Sequence, residues 1–423
     1  MKVKLAYGRA GMEVELPSKN VTVIEPNFVV GQRDPQGAVK QALENPLGCQ
    51  PLKESVTSQD RVAIVFSDIT RPVPNSTILP VILKELDHVP RENIVLINAL
   101  GMHRANTRDE LIGMLGQDIV DNYRIVQSVA DKPESYAFAG TLPNGHEVHL
   151  HKEYLEASVR ILTGFIEPHF FAGFSGGPKS VAPGIASRDD IMYIHSAQLI
   201  GHPKSTWGIL EGNPVHQAIS QIAHLTEVHL VVNVAVNKNK EITRVWAGRL
   251  NEVHGAGTEF VNKTSMCPVA DYFDVVITTN SGYPLDLNLY QAVKGMSAAA
   301  RVVKSGGDIV CVAECWDGVP EHGNFKKILE ATKSAQDILD MVYAPGFAMT
   351  DQWQAQILAL ILQRAKIHMV SGCLSDEEIS LAHLQPSGRV EDVLQRILQR
   401  DPEATICVLP EGPQTIPYVK SKE

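Results

Sequence analysis

Arg61-Val-Ala-Ile-Val-Phe66 runs directly into Ser67-Asp-Ile-Thr-Arg-Pro-Val-Pro74, and that junction decides the fold. An apolar, β-branched run without polar alternation reads as a strand buried on both faces, the kind found in parallel sheets covered by helices. The polar loop begins where such a strand ends. Two further stretches repeat the plan. Asn93-Ile-Val-Leu-Ile-Asn98 leads into Ala99-Leu-Gly-Met-His-Arg104, and Val159-Arg-Ile-Leu-Thr163 leads into Gly164-Phe-Ile-Glu-Pro-His169. Ligands of open α/β sheets collect at the carboxyl ends of strands, so three polar loops at three strand ends predict one shared site.

Outward from these strands, helices are predicted over 107–115, 188–199 and 214–224, the last with Asn213 as N-cap and Pro214 in the first turn. Segments 229–236 and 241–247, joined by Asn237-Lys-Asn-Lys240, read as a hairpin. The pattern breaks over 263–271 and then restarts. Strands are predicted at 274–279, 308–313, 366–370 and 404–409, with helices at 290–303, 351–364 and 390–399. The expected class is therefore α/β, with two α/β domains, an active-site cleft between them and a Rossmann-like second domain. Residues 1–265 are expected to form the cofactor-binding and catalytic domain and 270–410 the second, with a tail over 411–423 returning to the first. No Gly-x-Gly-x-x-Gly follows a strand of the second domain, so a dinucleotide is not predicted there.

Composition agrees with this plan. A chain of 423 residues, 44% apolar and 20% charged, is a folded protein too long for one ordinary core. Its 38 basic and 48 acidic residues give a net charge of −10, and no Lys/Arg run is present, which argues against nucleic acid as a partner. No apolar stretch approaches a bilayer span and no signal-peptide core follows Met1, so a cytoplasmic protein without a membrane partner is expected. The six cysteines (49, 267, 311, 315, 373 and 407) form no Cys-x-x-Cys and read as reduced, buried structural thiols.

The chemistry concentrates in residues 164–184, Gly-Phe-Ile-Glu-Pro-His-Phe-Phe-Ala-Gly-Phe-Ser-Gly-Gly-Pro-Lys-Ser-Val-Ala-Pro-Gly. Its glycines let backbone N–H groups approach an anion, Lys179 adds a charge, and its phenylalanines anchor the loop. It does not match the phosphate-binding Gly-x-x-x-x-Gly-Lys-Ser/Thr pattern. His103 and His169 follow two of the strands and form a candidate acid–base pair. Asp68 and Arg71 read equally well as a turn bridge or as a site in which Arg71 grips a carboxylate or phosphate. His195 falls on a predicted helix turned toward the glycine loop, while His202 and His216 read as structural. Gln291 and Lys294 share one helical face.

Together these segments resemble the lactate racemase family, racemases and epimerases of 2-hydroxy acids that depend on a nickel-pincer nucleotide. The resemblance rests on Asp68-x-Thr-Arg-Pro-x-Pro74, Gly101-Met-His-Arg-x-x-Thr107, the long motif from Gly164 to Ser180, Asn213-Pro-x-His216, Tyr290-Gln-x-x-Lys294 and Asp351-Gln-Trp-Gln354. It implies a pyridinium bisthiocarboxylic acid mononucleotide holding nickel and tethered covalently at Lys179. His195 would complete the nickel coordination, and His103 and His169 would exchange the substrate hydroxyl proton. Asp68, Ile69, Thr70, Arg71 and Trp353 would bind the cofactor, and Arg71, Gln291 and Lys294 the substrate. Proteins that build and insert the cofactor are implied partners. Pro178 stands where the lactate-active members carry arginine, so the hydroxy acid itself is not assigned.

The implied reaction inverts C2 of a 2-hydroxy acid by hydride transfer through a 2-keto acid. Two other readings of the same residues stay open: a metal-independent racemase using His103 and His169 as opposing bases, and a carrier or maturation protein that binds the nucleotide without turnover.

Overall fold

The computed structural model describes residues 1–321 and 323–420. The chain forms two compact units, neither continuous in sequence. One gathers Phe28–His195 and Gly208–Asn262; the other gathers Met1–Asn27, Ser196–Trp207 and the chain from Lys263 onward. Among the described residues the two main sheets use β1 (Val21–Val23), β2 (Val62–Ser67), β3 (Ile94–Ala99), β4 (Arg124–Gln127), β5 (Val159–Phe165), β6 (Leu230–Val236), β7 (Ile242–Gly248), β8 (Phe273–Thr279), β9 (Val303–Val312), β10 (Lys366–Val370), β11 (Gln385–Pro386) and β12 (Ile406–Leu409).

In the first unit the order is β7-β6-β5-β2-β3-β4. All neighbours are parallel except the β6–β7 hairpin, which forms as its sequence predicts. Ile64 and Phe66 of β2, Leu96 of β3 and Ile161 of β5 are fully buried beside Ile78, Leu79 and Ile82 of the helix Asn75–Glu85. That helix has no local signature. Pro74 precedes it and Pro80 lies inside it, so the stretch reads as a loop until its apolar face finds the sheet.

The second unit holds an all-parallel sheet in the order β11-β10-β9-β8-β12-β1. The chain steps from β8 through β9 and β10 to β11, then returns to place β12 on the other side of β8, a Rossmann-like winding.

Four local differences from the sequence expectations have physical causes. The helix predicted over 188–199 is two, Arg188–Ile194 and Ala197–Ile200, because His195 caps the first and Ser196 turns extended at ψ 149°. The predicted break over 263–271 begins inside the helix Leu250–Ser265 and continues into the strand Met266–Val269. That strand pairs with Ile416–Val419, which keeps the expected tail, as far as it is described, with the second unit and not the first; 421–423 lie outside the described residues, and β1 joins the same unit by pairing with β12. All six thiols are free; Cys311, Cys315 and Cys407 are buried, but Cys373 is exposed in the loop after β10. Among the described residues no helix is long and apolar enough to cross a membrane.

Candidate functional site

Because β5, β2 and β3 are parallel neighbours, their carboxyl ends and the three loops leaving them lie side by side. The Gly101 N–H donates to the Gly184 carbonyl at 3.1 Å, tying the loop after β3 to the end of the long glycine segment.

Asp68 stands one residue beyond β2 and is buried. His103 Nδ1–H donates to its Oδ2 at 3.0 Å, and Thr70 Oγ1–H donates to its Oδ1 at 3.0 Å. The same imidazole N–H leans toward Thr70 Oγ1 at 3.2 Å. Burial works against the Asp68 charge, but the hydrogen bond and charge of His103 and the charge of Arg71 outweigh it and hold the carboxyl below its usual range. A carboxylate fixing Nδ1–H puts the lone pair of the neutral ring on Nε2, and His103 is half-exposed. The turn-bridge reading of Asp68 and Arg71 is therefore corrected. The carboxylate serves His103 and Thr70, and among the described residues Arg71 makes no ion pair. Ile69, between them, is exposed.

Arg104 belongs to a structural device. It pairs with Glu110, which completes a capping box with Thr107 at the start of the helix Arg108–Leu115.

Lys179 follows two glycines with left-handed backbone, Gly176 (φ 74°) and Gly177 (φ 51°). The Gly177 N–H donates to Oδ1 of the buried Asn233 at 2.7 Å, and a Cβ at Gly177 would come within 2.6 Å of the His254 ring. Ser180 Oγ donates to the Thr163 carbonyl at 3.2 Å, fastening the segment to β5. The Lys179 ammonium lies 5.8 Å from the centroid of Phe171.

His195 is buried where its helix ends, edge-on to Phe171 at 5.3 Å. Its Nδ1–H donates to the Ile191 carbonyl at 2.7 Å. Burial, helped by the Lys179 charge and opposed by that hydrogen bond, pushes its pKa down to about 3. His169 is also buried, edge-on to Phe171 at 4.5 Å, and accepts the Ala172 N–H at Nδ1 (3.3 Å).

Gln291, Lys294 and Trp353 lie in the other unit. Gln291 and Lys294 are half-buried on the helix Leu289–Ala300, whose start Asn288 caps by accepting the Gln291 N–H. Trp353 is buried and donates from Nε1 to the Tyr290 hydroxyl at 3.1 Å.

The residues that sequence reasoning missed are Asn233, His216 and His254. The two imidazoles stack at 5.6 Å, and both are pushed down to about 4, chiefly by burial with the Lys179 charge contributing. Only His216 sat in a noted motif. His254, in mid-helix, and Asn233, inside β6, carry no local signal.

Two histidines and a lysine in a glycine cradle, on loops leaving the ends of parallel strands, with a buried neutral imidazole at the end of a helix in the same unit, make the candidate site of an α/β enzyme. Residues 7–208 match the family model of the lactate racemase N-terminal domain, and residues 269–416 that of the C-terminal domain. A lactate racemase of Thermoanaerobacterium thermosaccharolyticum is 35% identical over 424 residues, covering 98% of both chains, and one of Lactiplantibacillus plantarum is 37% identical over 380 residues, covering 89% of both. The solved lactate racemase apoprotein of T. thermosaccharolyticum superposes with a TM-score of 0.92 at 33% identity over the whole of both chains. A Thermotoga maritima protein shares the fold, with a TM-score of 0.69 at 17% identity over 92% of this chain and 100% of its own. The chain belongs to the lactate racemase family, and so to the isomerases.

Proposed function

We propose that the chain inverts C2 of a 2-hydroxy acid, lactate in the first instance because its relatives carry that name, using a nickel-pincer nucleotide tethered at Lys179. One observation carries the reading: the buried neutral His195 and the cradled Lys179 share one unit with the Asp68–His103 dyad.

The residues fit the cofactor. With Nδ1–H bound to the Ile191 carbonyl, the His195 lone pair is on Nε2, the arrangement of a metal-ligating imidazole, and burial keeps the ring unprotonated at neutral pH. Among the described residues no three His, Cys, Asp or Glu side chains are placed to hold an ion, so nickel here needs donors from a cofactor. Lys179 supplies the amine for a covalent anchor, and the glycines before it let the chain pass close against Asn233 and His254, which fixes where that amine stands.

When bound, the nucleotide supplies a hydride acceptor and donor for C2. The chain's residues do the rest. Asp68 holds His103 with Nε2 ready to take the hydroxyl proton as the carbonyl forms, and stabilises the imidazolium that results. His169 is the candidate on the opposite face; with Nδ1 accepting the Ala172 N–H, its neutral ring carries the proton on Nε2 and offers the substrate oxygen a hydrogen bond there. Arg71 receives the substrate carboxylate. Proteins that make and insert the cofactor are required for loading.

Two measurements test this. Intact mass of protein co-expressed with the cofactor pathway should show an adduct that disappears in Lys179→Ala. Lactate deuterated at C2 should give inverted product that keeps its deuterium. Wash-out of the label into water would instead support the two-base reading, and an adduct without turnover on any 2-hydroxy acid would support the carrier reading.

A further inference from the structure

A cavity of about 640 Å³ lies in the second unit and shares no residue with the site above; Tyr7, Arg9, Tyr283, Glu314 and Trp316 line it. Its size suits a small ligand. Its position in the sheet is informative. Tyr283 stands in the loop after β8, and Glu314 and Trp316 follow β9, so the cavity opens at the carboxyl ends of two adjacent parallel strands. The winding of the sheet reverses at β8, the point in open α/β sheets where nucleotides bind. Glu314, just past the end of β9, stands where such sheets place the acid that accepts ribose hydroxyls.

The walls are built rather than incidental. The fully buried Asp286 accepts the Gly8 N–H at 2.7 Å and the Glu314 N–H at 3.1 Å through one oxygen, fixing both sides of the cavity to one carboxylate. Gly8 has a φ of 48°, a backbone conformation that favours glycine, and the Glu314 carboxylate lies against it, 2.6 Å from where a Cβ would stand. Ser281 and Cys315 flank the cavity in left-handed conformations that cost energy for residues other than glycine.

The lining is also chemically specific. Trp316 is 50% and Tyr283 41% exposed, with ring centroids 6.4 Å apart, a pair of large aromatic faces left in contact with water. The Arg9 guanidinium lies 3.4 Å over the Tyr283 ring, and among the described residues it makes no ion pair, although Glu314 lines the same cavity.

We propose that this cavity binds a nucleoside monophosphate, with the base stacked on Trp316, the ribose hydroxyls donating to the Glu314 carboxylate and the phosphate held by Arg9. A single phosphate is specified because no Gly-x-Gly-x-x-Gly turn follows β8 to cradle a diphosphate.

The experiment is calorimetric titration of the full chain, without cofactor, using adenosine 5′-monophosphate. One-to-one binding is expected. The 2′,3′-dideoxy analogue should bind about tenfold more weakly or worse, since each hydrogen bond to a charged group contributes about 1.5–3 kcal/mol. Glu314→Gln should weaken the nucleotide to the same degree and leave the dideoxy analogue unaffected. Trp316→Ala should lose roughly tenfold through lost stacking. Arg9→Ala should make the monophosphate and adenosine bind alike. Lys179→Ala should bind like the parent. Absence of binding at millimolar nucleotide, full affinity in the three cavity variants, or loss of binding in Lys179→Ala would each overturn the assignment. None of those results bears on the reaction proposed above.

Discussion

Replacing Asp68 with asparagine keeps the side chain's shape and removes its charge, which isolates what the carboxylate does for His103. The two groups are 3.0 Å apart, and Asp68 is shielded from water while His103 is half-exposed. Unit charges 4 Å apart attract by about 4 kcal/mol at an effective dielectric constant of 20. Water around His103 screens part of this, so the net value of a hydrogen bond to a charged partner, about 1.5–3 kcal/mol, is the better figure. In the proposed reaction the Asp68 carboxylate acts on the positive charge that His103 gains with the substrate proton, so its loss is read in turnover. At 1.36 kcal/mol per factor of ten, turnover should fall roughly 10- to 150-fold, with KM little changed because Asp68 serves the imidazole. The assay is circular dichroism of a single lactate enantiomer turned over by holoenzyme, each preparation normalised to its Lys179 adduct by mass spectrometry. Turnover within twofold of the parent at equal adduct content would refute the role given to the dyad.

Two further predictions concern the cradle around Lys179. Gly177→Ala places a methyl group 2.6 Å from the His254 ring on a left-handed backbone, so it should lower the adduct yield at Lys179 and the melting temperature together, read by intact mass and calorimetry. Acid should destabilise the fold through His254, whose pKa of about 4 lies below the 6.5 of an unperturbed ring. Below pH 6.5 the unfolded chain takes up a proton that the buried ring refuses. Stability is thus full above pH 6.5 and is lost as the pH falls toward 4, by roughly 2 kcal/mol at pH 5. Urea unfolding at pH 7 and pH 5 should show a stability loss that is smaller by roughly 2 kcal/mol in His254→Phe than in the parent, the buried His216 and His195 contributing to the loss in both.

Much of this architecture is legible in one dimension because its strands are buried on both faces. Unbroken apolar runs such as Val62–Ser67 and Ile94–Ala99 need no tertiary information to be recognised, and the loops leaving them hold Asp68, Arg71 and His103. What stayed hidden depends on partners remote in sequence. The helix Asn75–Glu85 is masked by its prolines, and the hairpin of Tyr136–Thr141 with Glu147–His151 is too mixed in polarity to stand out. Asn233 and His254 matter only because β6 and the helix Leu250–Ser265 bring them to Gly177, and no local pattern marks a residue whose role is to touch another element.

The pairing of β1 with β12 has a consequence for how the protein is made. Val21–Val23 leaves the ribosome well ahead of its sheet neighbour among the described residues, Ile406–Leu409, which is synthesised about 380 residues later. At about 5–20 residues per second, that edge waits roughly 20–75 s for its partner. The other unit, whose segments end at Asn262, has all of its strands by then and can close first. The nascent chain therefore carries Val21–Val23 unpaired while the residues between are made, and a chain cut short before Ile406 holds a second sheet that cannot be completed.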